Sequence, residues 1–272
     1  MDKYRIKGKK RKGDQQNAQS PKKRKNDSTI SYSSMTDEAA EERLGISFED
    51  LEVQAIPVQE MLKLAKNGDA VAADTIEQLK EKVYDRIIEY IGFEGYPTGR
   101  GDFTEANVND LVLYILGPIL TAFKKETGRN IRLRREKEII AMDSATAGKE
   151  EFIVIDVISI SEKKFVLVVE SKKSCTGEGM KQCLLAMRDM YDNNGGGSVY
   201  GFVTTGPYWR MASYDGRSFT SSEVFHTMFG KMEEDKKRWI KEHAIIVDCM
   251  IAALADGGTE EIGGECRGRY EG

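Results

Sequence analysis

The chain has 272 residues, of which 40% are hydrophobic and 32% charged, so it can bury a core beneath a heavily solvated surface. Its four cysteines and two histidines lack the spacing of metal ligands, which argues against a Cys/His zinc site and favours free thiols inside a cell. No apolar run reaches the length expected of a membrane span, and the N-terminus lacks the apolar segment of a secretory signal. With so few histidines, any chemistry depends on carboxylates and lysines.

The N-terminal segment is strongly basic. Residues 1–27 hold 11 basic and 3 acidic side chains, whereas the whole chain has a net charge of −4, so a basic arm precedes an acidic body. Two compact clusters, Lys9–Lys12 and Lys22–Lys25, are similar to a bipartite nuclear localisation signal bound by an import receptor; a generic polycation is the alternative. We predict that residues 1–46 form a disordered arm and that the protein is nuclear and contacts no membrane.

Residues 47–103 read as a helical extension. Ser47 followed by Asp50 is typical of a helix start. Apolar residues then recur at helical spacing from Ile76 to Ile91, which predicts a core-facing stripe and no chemistry. A helical adaptor within residues 47–92 is a separate, weaker hypothesis for the function of this part.

Residues 104–256 alternate helices and strands. Thr104 can cap a helix that runs past Gly117-Pro118, three strands follow, and Gly177 to Gly179 open a second helix. Two more strands and a long helix complete an α/β domain with a mixed sheet flanked by helices, ahead of a tail that we expect to be disordered. The predicted elements after the first helix are strands 131–141, 151–161 and 165–173, helix 177–194, strands 198–206 and 208–216, helix 231–255 and tail 257–272.

The third predicted strand, FVLVVESKK, begins with the apolar residues of a buried strand but ends in charged residues. Alternation places Glu170 and Lys172 on one face and Ser171 on the other. If the preceding turn is centred on residues 162–164, Asp156 of the neighbouring strand lies beside Glu170. Two adjacent carboxylates repel each other, and a divalent cation such as Mg²⁺ or Mn²⁺ removes that repulsion.

This arrangement of Asp156, Glu170 and Lys172 on adjacent strands resembles the PD-(D/E)XK nuclease superfamily over roughly residues 104–215. The resemblance implies a restriction-endonuclease-like fold and metal-dependent cleavage of phosphodiester bonds, with DNA as the expected substrate. It also implies that Asp156 and Glu170 are metal ligands, that the Ser171 backbone carbonyl is a further ligand, and that Lys172 is the catalytic lysine.

Two helical residues match further positions that the superfamily uses. Glu105, at the start of the first helix, matches an acidic residue that faces the sheet, and Gln182, in the second helix, matches a glutamine found in some members. The chain departs from the pattern in two places, because Ile155 replaces the proline of the family name and Ala186 replaces a tyrosine after the glutamine. The subfamily therefore stays open.

Alternatives remain for this site. Asp143 is a weaker substitute for Asp156, and an ordinary hairpin with a surface Glu/Lys pair is the plainest explanation. Two other Glu-x-Lys copies, at 162–164 and 234–236, read as solvated charge. A nuclease-like fold kept as an inactive module that binds DNA or protein is the alternative function. The helix and strands after residue 176 also look like the C-terminal domains of Crinkler-type effectors.

Some residues are candidates for contacts with nucleic acid. Three arginines on the first strand could bind phosphates, although a solvated strand face is equally consistent. Three aromatic residues near the last strands could stack on bases, although strand aromatics are more often core. The sequence leaves the oligomeric state open. These candidates are Arg132, Arg134, Arg135, Tyr208, Trp209 and Tyr214.

Overall fold

The computed structural model describes residues 29–65, 70–97, 103–173 and 176–258. The predicted localisation signal and most of the predicted C-terminal tail lie outside these ranges. The helices are α1 (Asp37–Leu44), α2 (Phe48–Val53), α3 (Val58–Leu64), α4 (Ala73–Glu94), α5 (Glu105–Thr127), α6 (Thr176–Asn194), α7 (Lys236–Glu242) and α8 (Ile245–Asp256). The strands are β1 (Ile30–Ser31), β2 (Ile131–Ile140), β3 (Thr146–Val157), β4 (Lys163–Ser171), β5 (Val199–Thr204), β6 (Tyr208–Tyr214), β7 (Phe219–Ser221) and β8 (Phe225–His226).

One mixed sheet of eight strands organises the fold. Its main path is β1-β3-β4-β5-β6-β7, with β2 on β3 and β8 on β6. Strands β2, β3 and β4 are antiparallel neighbours, and β5 is parallel to β4 because the chain crosses over through α6. The predicted mixed α/β sheet flanked by helices is therefore confirmed.

The sheet is covered on both faces. One hydrophobic cluster joins α4, α5 and α8 to residues such as Phe152 and Val169, and the other joins α1 and α6 to residues such as Ile153 and Val168. Alternate residues of β3 and β4 thus contribute to opposite layers, which explains why both strands are almost continuously apolar.

Helix α5 lies at the centre of the first layer. Thr104 and Asn107 form its capping box, and its buried stripe contains Val108, Val112 and Ile115. Of the helices within the described residues, α5 alone is long and apolar enough to cross a membrane when judged by length and composition. This finding differs from the expectation that no apolar run reaches the length of a membrane span. More than half of that stretch is buried within the fold, as in a core helix.

The long helix predicted over 231–255 is divided. A 3₁₀ turn (Met232–Glu234) comes first, and Asp235 caps α7 by accepting a hydrogen bond from the Arg238 amide. Helix α7 ends at His243, and α8 begins at Ile245. The break lets the Trp239 indole donate to the Thr227 carbonyl at 2.7 Å while α8 packs its apolar side chains into the core.

Residues 30–44 are ordered, which corrects the prediction of a disordered arm through residue 46. Ile30 and Ser31 pair with β3, and the buried Tyr32 hydroxyl donates to Asp189 Oδ2 at 2.6 Å. A Cβ atom at Gly148 would lie 1.8 Å from the Tyr32 ring, so only glycine admits this contact. The polar sequence hides these long-range partners, because its few apolar residues are spaced too irregularly to indicate burial.

Candidate functional site

The end of β4 has the predicted alternation. The Ser171 hydroxyl donates to the Asn109 side chain of α5, whereas Glu170 and Lys172 lie on the opposite face beneath α6. A Cβ atom added to Gly179 of α6 would lie 3.0 Å from Lys172 Cγ and 3.6 Å from Glu170 Cγ. Lys172 Nζ lies 2.6 Å from Glu170 Oε1, so the predicted Glu/Lys pair on one face is confirmed.

The prediction that Asp156 lies beside Glu170 is wrong. Asp156 pairs with Lys164, six residues before Glu170 along β4, which corresponds to about 20 Å along the strand. Its carboxylate instead accepts a hydrogen bond from Arg129 Nε at 2.7 Å. Arg129 in turn donates to carbonyls at the C-terminal end of α8, including Leu254 at 2.5 Å and Gly257 at 3.1 Å. Asp156 thus takes part in a contact that fixes α8 to the sheet.

The error arises from the position of the hairpin turn. The amides of Ile158 and Ser159 both donate to the Glu162 carbonyl, so the turn is centred near residue 160 and Lys163 already belongs to β4. Serines at the turn satisfy its backbone better than the charged residues that follow. A bulge between Val154 and Ile155 shifts the register once more.

The acidic residues near Glu170 are Glu150 and Glu151. Phe152 pairs with Val169, so the chain just before Phe152 lies beside the end of β4. Glu150 is 2% exposed and Glu170 is 3% exposed, and the two carboxyls lie close enough for Glu170 to act electrostatically on Glu150. Sequence reasoning missed both Glu150 and Glu151, although placing the turn on Ser159 to Ser161 would have brought them beside Glu170.

Burial sets the protonation of this pair. Desolvation, followed by the proximity of Glu170, raises the pKa of Glu150 well above its ordinary value. Desolvation also raises the pKa of Glu170, although the charge and hydrogen bond of Lys172 oppose that shift. The two carboxyls therefore share one proton more readily than either would hold it in water.

Helix α5 supplies the other side of the site. Asn109 is buried, and its Nδ2 donates to Glu151 Oε2 at 2.7 Å. Glu105, one helical turn earlier, is half-buried and acts electrostatically on Lys172. Burial alone would lower the pKa of Lys172, but the carboxylates of Glu170, Glu105 and Glu151 outweigh that effect and raise it. Lys172 is therefore a cation at neutral pH.

Two buried carboxylate oxygens in the site lack a hydrogen-bond partner. They are Glu150 Oε2 and Glu170 Oε2. Unpartnered buried oxygens are costly, and hard oxygen ligands of this kind suit Mg²⁺ or Mn²⁺. Within the described ranges, no three His, Cys, Asp or Glu side chains form a group that could hold a metal ion. The two unpartnered oxygens have the donor chemistry of divalent-cation ligands, and the remaining ligands of such an ion would be water or phosphate oxygens.

The backbone is strained on the edge strand beside this site. Glu136 lies between Arg135, which pairs with Phe152, and Lys137, which pairs with Glu150. Its φ of 46° is in the left-handed region, which a residue other than glycine rarely adopts. Strain of this kind concentrates at functional sites, so its position level with Glu151 agrees with a site here.

Gln182 and Asp143 lie in other contacts. Gln182 is half-buried, and its Nε2 lies 3.2 Å from Glu178 Oε1 in the first turn of α6. Asp143 pairs with Arg43 at 3.2 Å and accepts from the Ala145 amide, so it holds a loop. Neither contact reaches the Glu150–Glu170 pair.

The candidate nucleic-acid contacts divide into exposed and buried groups. Arg132, Arg134 and Arg135 are exposed on β2, and Tyr208 is 47% exposed. Trp209 and Tyr214 are core residues: the Trp209 indole donates to the Gly206 carbonyl, and Tyr214 stacks on Phe219. Among the cysteines within the described ranges, Cys183 and Cys249 are buried free thiols, as expected.

Comparison with protein-family profiles, with curated proteins and with solved structures found no match to this chain. The case for a function therefore rests on the arrangement of Glu105, Asn109, Glu150, Glu151, Glu170, Ser171 and Lys172.

Proposed function

We propose that the protein is a metal-dependent nuclease that hydrolyses phosphodiester bonds, with DNA as its first candidate substrate. The observation that carries this proposal is the buried Glu150–Glu170 pair, with an unpartnered oxygen on each carboxyl and Lys172 2.6 Å from Glu170. Buried carboxyls with raised pKa values beside a lysine are characteristic of sites that do chemistry.

The surrounding elements support a restriction-endonuclease-like fold. Helix α5, the antiparallel strands β2, β3 and β4, helix α6 and the parallel strand β5 follow one another in the order expected of that superfamily. Glu170 and Lys172 lie on one face at the end of β4, as expected from the sequence, and we assign to Glu150 and Glu151 the role first given to Asp156. Glu105 remains a candidate because it acts on Lys172.

Each side chain has a distinct task in this mechanism. A bound Mg²⁺ or Mn²⁺ ion would supply charge neutralisation and an activated water. Glu150 and Glu170 would hold that ion through their unpartnered oxygens. Lys172 stays protonated, so it donates hydrogen bonds to a phosphate oxygen and offsets the charge of the transition state rather than acting as a base.

The cellular location that we propose is based on the charge distribution along the chain. The two basic clusters of residues 9–25 would carry the protein into the nucleus through an import receptor. The acidic body repels a polyanion, so binding depends on local cations and on the metal ion. From the likeness of the helix and strands after residue 176, we also propose that the protein is a Crinkler-type effector.

A cleavage assay tests the proposal. Purified protein is incubated with plasmid DNA, and separately with RNA, in Mg²⁺ or Mn²⁺. We expect cleavage that falls at least ~100-fold in Glu170→Gln and in Lys172→Met, because Glu170 would hold the metal ion and Lys172 would bind the reacting phosphate. Glu234→Gln, in an exposed Glu-x-Lys copy, is the matched control and keeps full activity.

The alternative function gives a different result. A protein that binds DNA but leaves it intact with every metal is an inactive nuclease-fold module, and the hydrolase proposal then fails. Cleavage that persists unchanged in both site variants indicates a contaminating nuclease and also contradicts the proposal.

A further inference from the structure

A second feature of the molecule is a cavity of about 490 Å³ beside the Glu150–Glu170 pair. Helices α1 and α2 form one wall, the first turns of α6 form another, and β6 contributes Arg210. Its volume falls in the range of small-molecule sites.

Two cations in this cavity are more deeply buried than the acids that pair with them. The side chains of Lys181 and Arg210 are 7% and 12% exposed, whereas those of Asp37 and Glu52 are 71% and 62% exposed. Lys181 Nζ lies 3.0 Å from both Asp37 Oδ1 and Glu178 Oε2 and donates to the Met35 carbonyl at 2.9 Å. Arg210 Nη2 donates to Glu52 Oε1 at 2.7 Å. Arg210 Nε is buried without a hydrogen-bond partner. The cations thus lie at the base of the cavity and the acids at its rim.

The register of the sheet connects this cavity to the candidate centre. Glu170 pairs with Val203 of β5, and Val203 pairs with Arg210 of β6, so all three lie in one row across the sheet. Directly paired residues project to the same face. Two strand spacings place the backbones of Glu170 and Arg210 roughly 10 Å apart. Gly179 of α6 packs over Val203 and Glu170, and Gly177 of the same turn lines the cavity, so the first turn of α6 adjoins both the cavity and the candidate centre.

Apart from Glu178 and Gly177 of α6, the rest of the lining is apolar. Phe48 and Leu51 of α2 lie on one side, and Met180 and Val224 complete the surface. An aromatic and aliphatic wall beside buried cations is complementary to a nucleotide unit, which has a flat base at one end and a phosphate at the other.

We propose that this cavity binds one nucleotide of the substrate strand, next to the phosphate that is cleaved. Arg210 and Lys181 bind its phosphate, and the wall containing Phe48 and Leu51 contacts its base. In the free protein Glu52 pairs with Arg210, and Asp37 and Glu178 pair with Lys181, so these three carboxylates compete with the substrate for the two cations. The inference rests on the proposed nuclease function and names a subsite for that activity.

Binding of a fluorescein-labelled single-stranded DNA oligonucleotide, followed by anisotropy in EDTA, tests the subsite without cleavage. We expect Arg210→Gln and Lys181→Gln each to weaken DNA binding about 10-fold. Each should also lower the slope of the logarithm of the binding constant against the logarithm of the salt concentration by the amount that corresponds to about one phosphate contact. Glu52→Gln should strengthen binding about 3-fold at low salt, because it frees Arg210. A merely structural ion pair gives no such gain.

The matched controls are Arg238→Gln and Glu242→Gln, which break an exposed ion pair on α7. Both should bind as the wild type does. Unchanged binding in Arg210→Gln, or no binding by the wild-type protein, overturns the subsite. If the wild type cleaves DNA, and Arg210→Gln cleaves and binds DNA as the wild type does, the subsite proposal fails and the nuclease proposal stands. If the wild type binds DNA more tightly than Arg210→Gln but does not cleave it with any metal ion, the subsite proposal stands and the nuclease proposal fails.

Discussion

The two ends of the β3–β4 hairpin contain carboxylates in opposite circumstances. At the turn end, Asp156 is 5% exposed and accepts a hydrogen bond from Arg129, which also binds the end of α8. At the other end, Glu150 and Glu170 are equally buried, yet each has an oxygen without a partner. A buried charge whose hydrogen bonds are all formed has a structural role. A buried charge that lacks a hydrogen-bond partner lowers the stability of the fold, and its presence therefore indicates a functional site.

The largest expected effect on stability is at the turn end. Asp156→Ala leaves Arg129 without its carboxylate, so we expect the free energy of unfolding to fall by about 3 kcal/mol. Urea denaturation at pH 7 measures the loss. The remaining folded protein should cleave DNA at the wild-type rate. A specific loss of activity in folded protein would restore Asp156 to the catalytic site.

The second-largest expected effect is that of metal binding, which should stabilise the protein through the Glu150–Glu170 end of the hairpin only. An ion held by Glu150 and Glu170 stabilises the folded state by about 2.7 kcal/mol at 100 times its Kd. Thermal denaturation with and without Mn²⁺ measures the shift in Tm, which should be absent in Glu170→Gln and retained in the exposed control Glu162→Gln. An equal shift in both variants would place the ion elsewhere.

The smallest effect concerns pH. Because the pKa of Glu150 is raised in the folded protein, the folded state binds more protons than the unfolded state above the ordinary Glu pKa. Its contribution to stability is therefore lost as the pH rises through the folded-state pKa. Glu150→Gln removes this titration and should be about 1–2 kcal/mol more stable than the wild type at pH 8 in EDTA.

Urea denaturation at pH 4 and pH 8 checks this expectation. The advantage of Glu150→Gln should shrink towards pH 4, where the wild-type carboxyl is protonated in both states. A variant that is less stable than the wild type at pH 8 would mean that Glu150 is satisfied in the folded protein, which would remove the contrast between the two ends.

Local patterns were enough to predict α5, strands β2 to β4 and α6. They also placed Glu170 and Lys172 on one face, because strand alternation needs no knowledge of the partner strand. The identity of the acidic neighbour depended on the turn, and a shift of about three residues in its centre exchanged Asp156 for Glu151. Register errors of this kind change every cross-strand pair, so motif spacing alone could not identify the partner.

Contacts distant in sequence were also beyond prediction. Asn109 belongs to the apolar stripe of α5 by spacing, yet it connects Glu151 to Ser171 through its two amide atoms. Likewise, the Glu170–Val203–Arg210 row exists only once β5 and β6 are placed in the sheet. Neither the helical period nor the strand period contains that information.

The pairing of Ile30 and Ser31 with β3 has a practical consequence for truncation experiments. A shortened chain starting at Ser47 would lose the basic clusters together with Tyr32, and would uncover the buried Asp189 carboxylate and the bare backbone at Gly148. Impaired import and impaired folding would then be confounded. Deletions meant to test the proposed import role of the lysine clusters should stop before Thr29, which leaves the first strand in place.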